Sequence, residues 1–301
     1  MNIQKYVVFY VKCAEYLRFS APVDRLVWDI GKVVENEVLK KLMDPPLLVE
    51  KEQFIVKFAE NQQEIEAAKR LRYNVFMTEQ GHYAGKAAAA AIDEDEFDPY
   101  CLHLIVVERV SGEVIATYRV HPGVVALQGL GFYSAQEFKL GGLDKIAANA
   151  VEVGRSCVKP EYRNGTIVAL LWAGMAAVHA RSSCQYLLGC VSLTPPDPVI
   201  GRAVSEYLAS KGDDVFTSEL DVSPQPGWEL PEVDPEAVKA YTEGEKRSEL
   251  RKLIPPLMKG YLRLGAKFGR EPVLDKEFGA IDFLVLFNLG EIDQKYARHF
   301  L

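Results

Sequence analysis

Strands and helices alternate along the 301 residues, and this alternation predicts an α/β (α+β) fold around a mixed central sheet. Three stretches carry the prediction. Residues 151–166 combine β-branched Val151, Val153 and Val158 with a stop at Pro160 and a turn at Asn164-Gly165, and a largely apolar helix follows to about Arg181. Leu102–Glu108 and Glu113–His121 flank the turn signal Ser111-Gly112 as a hairpin. Ile281–Leu286 is a strongly apolar strand near the end.

In chain order, Leu26, Val27, Ile30, Val33, Val34, Val38 and Leu42 recur at helical spacing opposite Asp29, Lys32, Glu37 and Lys40, so residues 1–50 are an N-terminal helical extension ended by Asp44-Pro45-Pro46. Met1–Phe19 is apolar but broken by Lys5, Lys12, Glu15 and Arg18, without a small-residue cleavage pattern. Neither a signal peptide nor a membrane span is expected there, and no apolar run reaches the roughly 18 residues that a spanning helix needs. Gln53–Ala59 alternates as a strand, and Asn61–Gln80 is a helix presenting Ile65, Ala68, Leu71, Arg72, Val75 and Phe76. The alanine run Gly85–Ala91 is helix or loop, and the acidic segment Asp93–Asp98 leads into the hairpin. Residues 123–142 are Gly-rich and loop-like, with a short helix near Ser134–Lys139. After a strand at Tyr186–Cys190, residues 194–256 hold Pro195-Pro196, a helix near Val199–Ser210, the turn Ser223–Gly227 and a charged helix Asp234–Leu253. They read as a long helical insertion before the C-terminal strands, within a main domain of 51–301. Leu257–Phe268 is a short helix.

Composition narrows the function. With 49% hydrophobic and 26% charged residues the chain can bury one substantial core, and a net charge of −7 argues against a nucleic-acid binder, which needs a basic face. The five cysteines contain no C-x-x-C pair, and the five histidines show no ligand spacing, so a reducing cytosol and no metal are expected. Cys157 on the strand suits core packing better than covalent catalysis, having no His or Asp partner at an informative spacing.

Thr166 is positioned to cap the helix after the turn. The first amides of that helix, at Gly165, Thr166 and Ile167, would point back toward the strand end and hold a phosphate, a layout for a phosphate-bearing thioester cofactor. Residues 251–270 contain Arg251, Lys252, Lys259, Arg263, Lys267 and Arg270 and no acid. On an acidic chain this is either a solvated basic face or a patch for a carrier protein or an anionic membrane surface.

With these pieces in order, the chain resembles the GNAT acyltransferase fold, and more closely the ornithine-lipid N-acyltransferases, with the related acyl-homoserine-lactone synthases and N-acyl amino acid synthases. The matching stretches are Leu71–Phe76, Asp95–Asp98, Thr117–Arg119, Glu152–Val158, Leu170–Trp172, Leu187–Cys190 and Gly260–Lys267, spanning about 53–193 and 257–290. Residues 1–50 and the insertion carry no such support.

The resemblance implies transfer of a fatty, sometimes 3-hydroxylated, acyl group from acyl carrier protein to the amine of an amino acid such as ornithine, in the cytoplasm or at the inner face of the membrane, with no bound cofactor. CoA is the weaker donor, because Arg163-Asn164-Gly165-Thr166-Ile167 is one residue shorter than the pyrophosphate loop of acetyl-CoA-using relatives and lacks its second glycine. An α-amine, with a pKa of roughly 7.7–8.0, needs a base. The resemblance points to Glu152, either directly or through one water, as against a solvated or salt-bridged carboxylate. A bulge at Gly154 would turn Glu152 and Arg155 toward one another and free an amide near Gly154–Ser156 for the oxyanion. Arg119 and Arg155 would orient the acidic segment or bind the acceptor carboxylate, or form structural ion pairs. Asp95 and Asp98 match acidic positions that place the amino substrate, and Arg72 a position near the acyl site; a solvated turn and a helix-face ion pair are the plainer alternatives. The remaining readings are an autoinducer synthase of the acyl-homoserine-lactone type, or a non-catalytic module that binds an acyl chain or carrier protein.

Overall fold

In the computed structural model, residues 42, 44, 47–79 and 91–291 are described. Most of the expected helical extension, most of the alanine run, Cys13, His82 and His299 lie outside them, and the end of that extension, from Leu47, is not helix but the start of a strand. The described residues form two compact units, one of residues up to Gly131 with Val153–Cys184, the other of Phe132–Glu152 with Gln185 onward. Strand β6 supplies residues to both.

In the first unit, β1 (Leu47–Lys51), β2 (Phe54–Phe58), β3 (Leu102–Glu108) and β4 (Val114–Pro122) pair antiparallel in sequence order, with Val56 opposite Val106 and Leu104 opposite Tyr118. Strand β5 (Phe138–Gly141) belongs to the other unit, and β6 (Ala150–Val158) follows β4 in the strand order. The alternation in Phe-Ile-Val-Lys-Phe places Phe54, Val56 and Phe58 in the core, as a half-buried strand requires. Helix α1 (Gln62–Tyr73) is capped by Asn61, whose side chain accepts from the Glu64 amide, and buries Ala68, Leu71 and Arg72. It continues as a π-helical segment, Asn74–Glu79, so the expected helix extent is met with a wider last turn. Helix α2 (Gly165–Ser182) packs on β1 to β4. Gly174 lets it approach closely: a Cβ there would lie 2.8 Å from Val56 Cγ1 and 2.9 Å from Leu104 Cδ1.

In the second unit, Ala150–Glu152 of β6 run parallel to Tyr186–Leu188 of β7 (Tyr186–Leu193). Antiparallel to β7 lies β11 (Ala280–Asn288), flanked by β10 (Val273–Asp275) and the two-residue β9 (Lys267–Phe268). With β6 parallel to β7 and β7 antiparallel to β11, the sheet is mixed. The Gly-rich region is more regular than expected: a turn of helix at Gly123–Ala126 belongs to the first unit, and in the second the short helix expected near Ser134–Lys139 is a single turn, Tyr133–Gln136, followed by β5, which takes up Phe138 and Lys139 and pairs with β8 (Asp221–Pro224). A four-residue strand stabilised by a partner some eighty positions away leaves little local signal.

Residues 194–256 contribute to the second unit's core. Helices α3 (Pro198–Ala209), α4 (Pro235–Thr242) and α5 (Arg247–Leu253) bury Ile200, Val204, Leu208, Val238 and Leu250. The single charged helix expected over 234–253 is two helices, because the chain turns at Gly244, where a Cβ would meet the Ala240 backbone at 2.9 Å. The short helix expected over 257–268 ends at Leu264, as α6 (Pro256–Leu264), where Gly265 takes a left-handed conformation with φ +83°.

Candidate active site

Three arginines and three aspartates alternate in a buried network of the first unit. Arg72, fully buried on α1, donates from Nη1 and Nη2 to the two carboxylate oxygens of Asp98 at 2.7 and 2.9 Å. Its Nε donates to Asp93 Oδ2 and its Nη2 to the Asp93 carbonyl, both at 2.6 Å. Arg119, from β4, donates to Asp95 Oδ1 at 2.6 Å, and Arg155, from β6, donates to Asp95 Oδ2 at 3.0 Å while its Nε lies 3.3 Å from Asp93 Oδ2. The acidic segment is held in shape by its own amides, with Asp95 N donating to Asp98 and Phe97 N to Asp95. Formal charges cancel three against three. The Asp95 and Arg155 side chains, 21% and 13% exposed, are its accessible end.

Burial alone would discharge these groups, and pairing reverses the outcome. For Arg72, burial works against the charge, but Asp98 and Asp93 outweigh it and hold the guanidinium above its ordinary range. For Asp98, burial is likewise overcome by Arg72, which pulls the carboxyl well below the usual range. His103 has no such compensation. Its Nε2 stays 3.8 Å from Asp98 Oδ1, and burial pushes its pKa down to about 4 despite that carboxylate. It is a neutral imidazole inside a charged cluster.

Strand β6 runs from Ala150 to Val158 without a break, but its backbone turns left-handed one residue after the glycine at which a bulge was expected. The left-handed residue is Arg155, with φ +50°, and not Gly154. A side chain in this region costs of order 1–3 kcal/mol and persists where surroundings over-determine it, here through the two aspartates that Arg155 engages. Pairing of β6 with β7 ends at Glu152, and Val153–Ser156 are half-buried, whereas Ala150–Glu152 are buried. A Cβ added at Gly154 would meet nothing within 4 Å, so space adjoins the backbone there.

Glu152 has structural partners that the sequence did not announce. It is 5% exposed, and its carboxylate accepts from Tyr133 N at 2.6 Å, Ser134 N at 2.8 Å and Ser134 Oγ at 2.6 Å. It therefore anchors the helical turn Tyr133–Gln136, a role no local pattern announces because its donors lie nineteen and eighteen positions upstream.

The turn after β6 also needs correction. Asn164, not Thr166, caps α2, accepting from the amides of Thr166 and Ile167 at 3.0 and 3.2 Å. Two of the three amides expected to face a phosphate are thus already engaged. Arg163 Nε donates to the Val158 carbonyl at 3.0 Å.

Of the basic segment, Arg251, Lys259, Arg263 and Lys267 line one cleft in the second unit. Lys252 and Arg270 do not line it, and Arg270 donates to Asp213 at 2.9 Å. Asp93, Ser134 and His103 were not singled out from sequence, although Asp93 lies in the acidic segment that was. Glu137, Asp275 and Asp282, all buried, bring carboxylate oxygens within 4.8 Å of one another, the separation a shared cation would require. Asp275 already accepts from the amides of Glu277 and Phe278.

A model for the acetyltransferase (GNAT) domain matches residues 71–173, a span that holds Arg72, the acidic segment, Arg119, Glu152, Arg155 and the α2 turn. An L-ornithine N(alpha)-acyltransferase of Agrobacterium fabrum is 33% identical over 261 residues, covering 81% of this chain and 84% of that protein. The chain belongs to the L-ornithine Nα-acyltransferase family. A second member, from Brucella abortus, is 32% identical over 262 residues, covering 81% of this chain and 88% of its own. Among solved structures, an N-acyl amino acid synthase from uncultured soil microbes aligns with 80% of this chain and 95% of its own at a TM-score of 0.45 and 10% identity. The AHL synthase LasI aligns with 79% and 91% at a TM-score of 0.42 and 10% identity. This family member is an N-acyltransferase with a GNAT-like fold. No helix among its described residues is long and apolar enough to cross a membrane.

Proposed function

We propose that this acyltransferase moves a fatty acyl group, 3-hydroxylated or plain, from the phosphopantetheine arm of an acyl carrier protein to the α-amine of ornithine, yielding a lyso-ornithine lipid in the cytoplasm. The acceptor follows from relatives named for L-ornithine at 33% and 32% identity. The observation that carries the chemistry is the left-handed turn of the β6 backbone at Arg155: open space beside Gly154, with Glu152 before it in the strand and Arg155, paired with Asp95, after it.

In this reading the amine nitrogen attacks the thioester carbonyl, a C–N bond forms and the C–S bond breaks. Of the two protons the ammonium gives up, one passes to Glu152, directly or through a water, and the other leaves with the sulfur as a thiol. Amides near Gly154–Ser156 receive the transient oxyanion, where preorganised donors are most effective. Arg155 and Arg119 present Asp95 to the substrate ammonium, with Asp98 and Arg72 fixing that arrangement from below. The donor arm passes Arg163 and the α2 turn at Gly165, Thr166 and Ile167. With Asn164 engaging two of those amides and no second glycine, the turn offers little to a pyrophosphate, which favours a carrier-borne arm over CoA.

The test is purified enzyme with ornithine and either acyl carrier protein or CoA bearing the same chain, read by mass spectrometry of the product. The expected result is Nα-acylornithine formed at least about tenfold more efficiently from the carrier. Equal turnover of acyl-CoA overturns the donor assignment, and equal acylation of other amino acids overturns the acceptor.

A further inference from the structure

The second unit contains a cleft of about 580 Å³ whose charge is not balanced. Lys211, Arg251, Lys259, Arg263 and Lys267 line it, against the single carboxylate of Asp214. Several surface cations elsewhere on this acidic chain are ion-paired: Lys57 with Glu60 and Glu64, Arg109 with Glu50, Lys159 with Glu113, and Lys239 with Glu236. Among the described residues none of the five cleft cations forms an ion pair. Lys267 bonds the Asp214 carbonyl, and Lys211 lies over the Tyr207 ring. The C-terminal ends of α3 and α6 temper the charges of Lys211 and Arg263, but a helix end carries only about half a charge. Like charges gathered around one concavity imply an anion that enters it.

Beside these cations the chain exposes an apolar side chain. Leu253, at the end of α5, is 38% exposed directly after Arg251 and Lys252, and Leu262 lines the cleft from α6. Cations around a hollow that Leu262 also lines, with Leu253 exposed two residues beyond Arg251, suit a surface that is anionic outside and apolar just beneath. We propose that this cleft receives the phosphate headgroup of an anionic phospholipid and docks the enzyme on a bilayer. The proposal goes beyond the acyl-transfer reading, and vesicle binding can be measured without acyl transfer.

The experiment is co-sedimentation of the full chain with vesicles of phosphatidylcholine alone and of phosphatidylcholine with phosphatidylglycerol. Binding is expected to the anionic vesicles only and to weaken with salt. The double variant Lys259→Gln, Arg263→Gln should lower partitioning by about thirtyfold, since each basic residue near an anionic surface contributes roughly a factor of five. Lys239→Gln, outside the cleft, should leave it unchanged. Circular dichroism melting confirms that each variant is folded. Three results would overturn the proposal: equal binding to neutral vesicles, anionic binding that the double variant retains, or binding of an acidic carrier protein with none to vesicles.

Discussion

Arg72 meets Asp98 through two parallel hydrogen bonds of 2.7 and 2.9 Å, and both side chains are wholly withdrawn from solvent. A fork of this kind fixes distance and plane together, so it sets where the acidic segment lies and with it the position of Asp95.

Breaking the pair should be costly. Arg72→Met leaves Asp93 and Asp98 facing a buried void of charge, and a loss of about 3–5 kcal/mol is expected in chemical denaturation. Arg72→Lys retains the charge but not the fork, and should fall between the two. A loss below about 1 kcal/mol for Arg72→Met would show that the network is not what holds the segment.

The buried imidazole makes stability depend on pH. Folded His103 stays neutral down to about pH 4, whereas an unfolded histidine titrates near 6.5. Between those values the unfolded chain binds more protons. His103 therefore contributes stability that is complete above about pH 6.5 and is lost as pH falls toward 4, on the order of 3 kcal/mol in all. Melting temperature against pH should show this decline, and His103→Gln should flatten it. Asp98, held below the ordinary carboxylate range by Arg72, adds its own loss only at lower pH.

Glu152 both anchors a turn and is our candidate base, and one substitution can separate the roles. Glu152→Gln turns an amide NH2 toward at least one of the donors at Tyr133 and Ser134, which should cost about 1–3 kcal/mol. If the carboxylate also accepts the substrate proton, kcat should drop by roughly 10²–10⁴ at temperatures where the variant remains folded. A rate loss that merely follows the unfolded fraction would leave Glu152 a structural residue.

At Gly174, packing allows a sharp test of the sheet and helix contact. Gly174→Ala should improve helix propensity by about 1 kcal/mol yet force Val56 or Leu104 aside, and overpacking of this kind costs about 1–3 kcal/mol. Net destabilisation in a denaturant titration is the expected outcome. A net gain in stability would mean that the sheet yields more easily than its distances suggest.

Features governed by near neighbours were legible in the sequence: the hairpin of β3 and β4, the alternating β2, the face of α1 that carries Arg72, and the passage from β6 through Asn164-Gly165 into α2. Period and turn chemistry act over a few residues, so they survive in a linear string. Tertiary structure decided which charges meet. Asp93 joins Arg72 to Arg155, Ser134 reaches back to Glu152, β5 finds β8, and Lys211 joins cations from α5 and α6, all across separations that leave no periodic trace. Even the kink in β6 belongs to this second group. Glycine makes a left-handed residue easy at position 154, but the two aspartates that bind Arg155 place it at 155, because partners brought together by folding can outweigh a local preference of about a kilocalorie.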